Sequence, residues 1–287
     1  RTEKSVLFLI PWGRHWLIGT TDTDWDLDLA HPAATAADID YLLEHINRVL
    51  ATPLTRDDVE GVYAGLRPLL AGESDETSKL SREHIVATPV PGFVSVAGGK
   101  LTTYRVMAKD TVDAVARGIE RPTPPSVTEH IGLSGAEGYP AAWNRRGRIA
   151  RKHGLTPGAV GHLLNRFGTH ARDVLALIDE RPELGALLPG SEDYLAAEVV
   201  YAVTHEGALH LDDVLARRTR MSIEVWDRGV SAAPVAARLM GEVLGWDDAR
   251  VELEIARYLE RVEAERASQR QPDDASADRV RLAAREV

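Results

Sequence analysis

Apolar residues first gather in short blocks. Val6-Leu7-Phe8-Leu9-Ile10 and His15-Trp16-Leu17-Ile18-Gly19 flank Pro11-Trp12-Gly13-Arg14, and runs of this length around a Pro/Gly break predict two paired strands with a tight connection. The period then changes. Over 36–51, Ile39, Leu42, Leu43, Ile46 and Leu50 recur at helical spacing, with Asp38 near the start and charged residues on the other side, which is the pattern of an amphipathic helix. A second strand group is expected over about 60–67 and 84–96, the latter broken by Pro89, Pro91 and Gly92, before helical periodicity returns over 102–117.

Arg121-Pro122-Thr123-Pro124-Pro125 is stiff, because proline fixes its backbone and donates no ladder hydrogen bond. It marks the expected domain boundary. Beyond it, 141–153, 157–167, 170–179, 191–206, 212–221, 231–244 and 247–267 all favour helices. The stretch Ser268 to Ser276 has little to bury and is expected to leave the core, any helix after Asp274 being a separate expectation. The expected fold class is α+β: a strand-containing part over 1–120, a linker and all-α domain over 121–267, and a polar tail over 268–287.

Composition narrows the chemistry. With 287 residues, 44% of them hydrophobic, the chain has material for two ordinary cores. It has no run of 18 apolar residues, and the opening apolar block is too short for a bilayer span or a cleaved secretory segment. The chain therefore reads as soluble unless something docks it to a membrane. Absence of cysteine excludes disulfides, thiol catalysis and thiolate metal sites. A net charge of -10 opposes indiscriminate association with polyanions while leaving local basic patches possible.

No G-x-G-x-x-G stands at a strand-to-helix junction and no P-loop is present. If a nucleotide cofactor is used, another segment must cradle its pyrophosphate. An uncovered VLFLI edge would also invite aggregation. Both features lead to the expectation that the sequence is a piece of a longer protein.

Two segments carry candidate chemistry. Phe93 to Arg105, FVSVAGGKLTTYR, reads as a strand, a glycine turn and a helix starting near Thr102. Gly98 and Gly99 permit close backbone approach, the amides at the helix start face an anion or polarised carbonyl, and Lys100 adds a full positive charge. The same residues also suit a plain glycine turn with an exposed lysine. In Gly65-Leu66-Arg67-Pro68-Leu69, Pro68 biases Arg67 toward an extended backbone, and the planar guanidinium suits an oxyanion. A salt bridge to an acid such as Glu73 or Asp75 uses the same geometry.

Taken in order, Trp16-Leu17-Ile18-Gly19-Thr20-Thr21-Asp22, Val62-Tyr63-Ala64-Gly65-Leu66-Arg67-Pro68-Leu69 and Val96-Ala97-Gly98-Gly99-Lys100-Leu101-Thr102-Thr103-Tyr104-Arg105 resemble FAD-dependent glycerol-3-phosphate dehydrogenase. The resemblance continues through His205 to Arg220 and covers nearly the whole chain apart from the polar tail. It implies an upstream FAD-binding half before Arg1. Residues 1–120 would then be a partial substrate/FAD-binding fold, with a substrate-side sheet and a returning flavin-wall segment. The implied activity is oxidation of sn-glycerol 3-phosphate to dihydroxyacetone phosphate with FAD reduction and electron transfer to quinone.

By that resemblance Arg67 and Lys100 are the catalytic residues, and Gly98, Gly99, Lys100, Leu101 and Thr102 contact FAD. The isolated chain is expected to be inactive. The complete enzyme is expected to be cytoplasmic and peripheral to the cytoplasmic membrane. Alternatives are an oxygen-reducing glycerol-3-phosphate oxidase, or a non-catalytic interaction domain if the chain is naturally independent.

Other patterns are read structurally. His205-Glu206-Gly207 departs from the family's helical pattern at Gly207, which is expected to loosen one helical turn. Arg217, Arg218 and Arg220 suit pairing with Asp212 or Asp213, or bracing of the two parts. Asp22, Asp24, Asp26 and Asp28 alternate, but Leu27 and Ala33 stand where an EF-hand needs glycine and glutamate. His205 and His210 lack zinc-helix spacing, so no metal is expected. The basic run 145–152 before Gly154 has a helix-turn-helix flavour, yet the acidic total disfavours nucleic acid and interdomain ion pairs are the favoured use.

Overall fold

The computed structural model describes residues 7–67, 83–119 and 121–284. Strands β1 (Phe8–Trp12) and β2 (His15–Gly19) form an antiparallel hairpin, with Trp12 opposite His15. Gly13 supplies the positive φ, 60°, of its two-residue turn. The strand thus runs on through Pro11, which an edge strand tolerates because one side of its backbone needs no partner.

Helix α1 (Ala36–Asn47) opens with a reciprocal capping box. The Asp38 amide donates to Thr35 Oγ1 at 3.2 Å, and the Thr35 amide donates to Asp38 Oδ2 at 3.0 Å. It ends before Leu50 because the Asn47 side chain both donates to the Leu54 carbonyl and accepts from the Leu54 amide, each at 2.8 Å. Those bonds turn the chain across Pro53.

The strand expected over 60–67 is not formed; these residues carry neither helix nor strand. Side-chain and backbone contacts hold the segment instead of a ladder. The Glu60 carboxylate meets His15 at 3.0 Å, and Gly61 lies against the backbone of Ile223. Strands β3 (His84–Val90) and β4 (Phe93–Gly98) make a second antiparallel hairpin, turning at Pro91-Gly92 with Gly92 at φ 81°. Pro89 falls within the register irregularity between Ala87 and Val90, where the missing N–H does not interrupt a regular ladder. Helix α2 (Tyr104–Ala116) follows, packed on both strands.

Residues 121–127 have no helix or strand, and from there helices dominate. The single helix expected over 141–153 is two, α3 (Tyr139–Asn144) and α4 (Arg146–Lys152). α5 (Pro157–Phe167) begins with Thr156 Oγ1 accepting from the Ala159 amide and proline at the first helical position. α6 (Ala171–Glu180) and α7 (Ala196–Glu206) follow. Gly207, at φ 67°, ends α7 as a left-handed cap rather than loosening a turn within it. Arg218 then donates to the exposed-end carbonyl of Glu206 through Nη2 at 2.6 Å.

The helix expected over 212–221 is resolved into a π-helical turn, Asp213–Arg218, and the short α8 (Met221–Glu224). α9 (Ala233–Leu244) and α10 (Asp248–Ser268) complete the core. Val160, Leu163, Val174, Val199, Leu215, Met240 and Tyr258 lie at its centre. Buried acids are compensated in it: Glu198 faces Arg166 and His162, both at 3.1 Å, while Glu254 faces Arg250 at 2.8 Å and accepts from the Leu211 amide at 2.9 Å.

The polar stretch after Ser268 does not leave the core. Ser268 is buried, the Gln271 carbonyl accepts from the Ala36 amide at 2.9 Å, and α11 (Asp274–Arg281) buries Ala277 against α10. Its polar residues serve as caps and ion-pair partners: Asp273 caps α11 through the Ser276 amide at 2.8 Å, and Arg281 reaches Glu265 at 3.3 Å. Low hydrophobicity did not mean solvation here.

Asp213 supports the π-helical turn by accepting from the amides of Leu209 and His210, each at 3.0 Å. Burial alone raises its carboxyl, but these amides and Arg217 bring it below the ordinary value of 3.8. A depressed folded value means that Asp213 stabilises above the unfolded value and loses that effect as pH falls through the folded one. Asp213→Ala is therefore expected to cost about 1 kcal/mol at pH 7, the usual worth of such a cap. In urea titrations the wild-type advantage should shrink at pH 3; an advantage undiminished there contradicts the assignment.

Candidate functional site

β4 ends where the backbone enters the left-handed region twice in succession, at Gly98 (φ 75°) and Gly99 (φ 77°). Only glycine holds two such positions without cost. A Cβ on Gly99 would stand 2.8 Å from Met107 Cε of α2, so that side chain packs closely on the turn. Lys100 then starts a 3₁₀ turn, Leu101–Thr103, that leads into α2. The Lys100 amide donates to Thr103 Oγ1 at 3.1 Å, and that hydroxyl donates back to the Lys100 carbonyl at 3.0 Å.

The α-helix begins at Tyr104, two residues beyond the expected Thr102, but the 3₁₀ turn leaves the first amides at the same end of the element. Amides there lack intrahelical acceptors and carry the positive end of the helix dipole. Lys100 is exposed beside them, and the Leu101 side chain is 88% exposed. This end of the element is positively polarised beside a half-buried glycine turn, which suits a group that gains negative charge.

Arg67 comes from the segment after Gly61, and its Nη1 lies 2.5 Å from Asp22 Oδ2, just beyond β2. The carboxylate alternative is thus realised, but with Asp22. Pro68, Leu69, Glu73 and Asp75 lie outside the described residues. Because a guanidinium has five N–H donors, a contact through Nη1 is compatible with recognition of a further oxyanion. Gly98, Gly99, Lys100, Leu101 and Thr102 form one continuous turn, and no hydrogen bond or ion pair among the described residues joins that turn to Arg67.

The helical part reaches this region through a cluster that sequence patterns did not reveal. Trp12 Nε1 donates to Glu224 at 2.9 Å, the Tyr194 hydroxyl donates to the same carboxylate at 2.5 Å, and Arg220 stacks over the Trp12 ring at 4.9 Å. Arg14 pairs with Glu192. Burial pushes the Glu60 carboxyl above its ordinary value, with Glu192 and Glu224 adding to the effect and His15 opposing it. A Cβ on Gly61 would stand 2.6 Å from Ile223 Cα, so α8 abuts the segment that delivers Arg67. The residues involved are far apart in sequence and belong to no shared motif.

The other expected side-chain uses divide. Arg217 pairs with Asp212 and Asp213, and Arg220 braces the two parts, as expected. In the basic run, Arg146 stacks on Trp143 at 4.5 Å and Lys152 faces Asp179 at 3.8 Å, so these two are used inside the helical part and not between parts. Among the alternating acids, Asp28 accepts from the amides of Ala30 and His31, both at 3.0 Å. That is a turn-forming role.

Comparison with known proteins agrees with this layout. Residues 1–105 match the family described as FAD dependent oxidoreductase, and residues 126–251 match the C-terminal domain of alpha-glycerophosphate oxidase. The chain is 58% identical over 287 residues to a glycerol-3-phosphate dehydrogenase of Mycobacterium leprae, covering 100% of this chain and 49% of that protein. It is 57% identical over the same length to glycerol-3-phosphate dehydrogenase 2 of Mycobacterium tuberculosis. The crystal structure of the Bacillus halodurans glycerol-3-phosphate dehydrogenase complexed with FAD superposes with a TM-score of 0.71 at 31% identity, over 90% of this chain and 50% of that one. The chain thus spans about half the length of the curated relatives it matches. Two successive family matches, identity along this whole chain to about half the length of named dehydrogenases and a shared fold lead to one assignment: the chain belongs to the FAD-dependent glycerol-3-phosphate dehydrogenase family.

Proposed function

We propose that this chain forms the substrate-side wall of an enzyme that oxidises sn-glycerol 3-phosphate to dihydroxyacetone phosphate. The observation that carries the reading is the double left-handed glycine turn that opens into Lys100 and the positive start of α2. FAD, when bound, accepts the two electrons removed from the secondary carbon. Gly98 and Gly99 let the backbone approach the flavin, the amides of Leu101 and Thr102 supply positive polarity, and Lys100 favours negative charge as it accumulates. Arg67 presents a planar fork to phosphate or to the developing oxygen.

The acid-base group and the pyrophosphate cradle come from further polypeptide. This is supported by the surface of the strand-containing part, where Trp16, Tyr63 and Val112 are 61–62% exposed and Ile85 and Phe93 are also uncovered. Apolar exposure on that scale suits a buried interface better than free solvent. Among the described residues, the central hydrophobic cluster is built from positions beyond the proline-rich linker. The chain by itself is accordingly inactive.

Electrons pass onward to a quinone, and the complete enzyme works in the cytoplasm, peripheral to the membrane. No helix among the described residues is long and apolar enough to cross a membrane; docking is assigned to an assembled surface or to a segment outside this chain. The test is anaerobic addition of glycerol 3-phosphate to the full-length protein. Bleaching of the flavin band with stoichiometric dihydroxyacetone phosphate is expected, followed by reoxidation by a quinone analogue in liposomes to which the enzyme binds. No bleaching rejects the substrate reading. Fast reoxidation by oxygen with no response to quinone favours an oxidase, and quinone reduction by enzyme that never associates with liposomes rejects peripheral docking.

A further inference from the structure

Beneath the glycine turn lies a pair of side chains with no part in the activity described so far. His84 stands directly across the hairpin from Gly98, and its Nε2 is 2.9 Å from Asp110 Oδ2. Asp110 sits on α2 one turn beyond Met107. Met107 is the residue that packs where a Gly99 side chain would be, and His84 Cβ lies 3.2 Å from the same point. The histidine–carboxylate bond therefore ties β3 to α2 across the base of the turn.

Among the described residues, the neighbouring Lys109 does not offer an equivalent tie. Lys109 Nζ is 3.8 Å from Asp110 Oδ1 but only 2.9 Å from Asp113. A cavity of ≈ 350 Å³ lined by His84, Val86, Asp110, Asp113 and Arg117 opens beside the pair, so packing on that side does not substitute for the hydrogen bond. Glycines carry no Cβ to restrict them. The conformation of Gly98 and Gly99 is consequently set by what fixes the two ends of the turn, namely β3 on one side and α2 on the other.

We propose that His84 and Asp110 are positioning residues that hold the Gly98–Lys100 backbone in its flavin-facing conformation. The proposal rests on the reading that this turn faces FAD, but the clamp can be measured without it. A hydrogen bond to a charged partner is expected to slow local opening by about tenfold or more. Hydrogen exchange in the peptide Gly98–Tyr104 of this chain should accelerate by about that factor in His84→Leu and in Asp110→Ala. The double variant should be no faster than either single one, because the two residues act as a unit.

His84→Gln, whose amide donates from nearly the same place, should restore protection, as should Asp110→Asn, which retains an acceptor. In the full-length enzyme, His84→Leu should shift the visible flavin spectrum and midpoint potential and lower kcat with KM little changed, while His84→Gln should not. Unchanged exchange in both disrupting variants overturns the clamp, and additive effects in the double variant do the same. If His84→Leu fails to fold, a loss of protection in His84→Gln and Asp110→Asn equal to that in Asp110→Ala also overturns it. Accelerated exchange in the disrupting variants, together with a full-length wild type that never binds or reduces flavin, would retain the clamp while removing the flavin reading.

Discussion

Arg67→Ala is expected to lower kcat/KM for glycerol 3-phosphate by about a hundredfold or more in the full-length enzyme, the scale of losing an oriented charged donor from a desolvated site. The side chain is held at one edge by Asp22, so its remaining donors are presented in a fixed plane. Arg67→Lys should recover only part of the loss, because an ammonium keeps the charge without the two-pronged geometry. Steady-state kinetics with glycerol 3-phosphate and with unphosphorylated glycerol separate the roles. A loss confined to the phosphorylated substrate assigns Arg67 to phosphate, an equal loss with both assigns it to the reacting oxygen, and wild-type kinetics with both would remove it from the site.

Gly168→Ala is the substitution expected to destabilise the helical core most. Gly168 has φ 57° and crosses the backbone at Gly135, φ 82°, so closely that an added Cβ would stand 2.8 Å from the Gly135 carbonyl carbon. The crossing is fixed by the Thr169 amide donating to the Gly135 carbonyl at 2.9 Å. Backbone cannot rotate aside as a side chain can, so overlap adds to the strain of the left-handed conformation, together about 3 kcal/mol. Gly154→Ala is the matched control: φ is 67° and nothing lies within 4 Å of the added carbon. It should cost only about 1 kcal/mol, from conformation alone. Urea unfolding of the two variants should differ by the steric part; equal midpoints would show that the crossing relaxes freely.

The amino-acid sequence by itself determined the elements whose cause is local. Proline and glycine at Pro91-Gly92 make a turn wherever they stand between strands, and Thr35 with Asp38 makes a capping box from four consecutive positions. The apolar stripes of α5, α9 and α10 were readable for the same reason, since a helix presents its 3.6-residue period without reference to the rest of the fold. The Gly98–Thr102 turn was legible because its conformation depends on two adjacent glycines, and the order of its motif with the Arg67 segment carried the family resemblance.

Tertiary structure alone decided the features whose partners are remote. Residues 60–67 looked like a strand by composition, but His15 and the Ile223 backbone hold that segment without a ladder. The polar stretch after Ser268 looked solvated by hydropathy, but Asp273 became a helix cap, the Gln271 carbonyl took the Ala36 amide and Arg281 found an ion pair. Asp22 seemed one of four alternating acids until Arg67, 45 residues away, met it. His84 and Asp110 are joined across 26 residues, and Trp12 and Glu224 across 212. Propensity and periodicity act through neighbouring residues, whereas an ion pair or a backbone crossing depends on which distant surfaces the packed core brings together. The chemical types at the candidate site were therefore written in the sequence, and their partners were chosen by the fold.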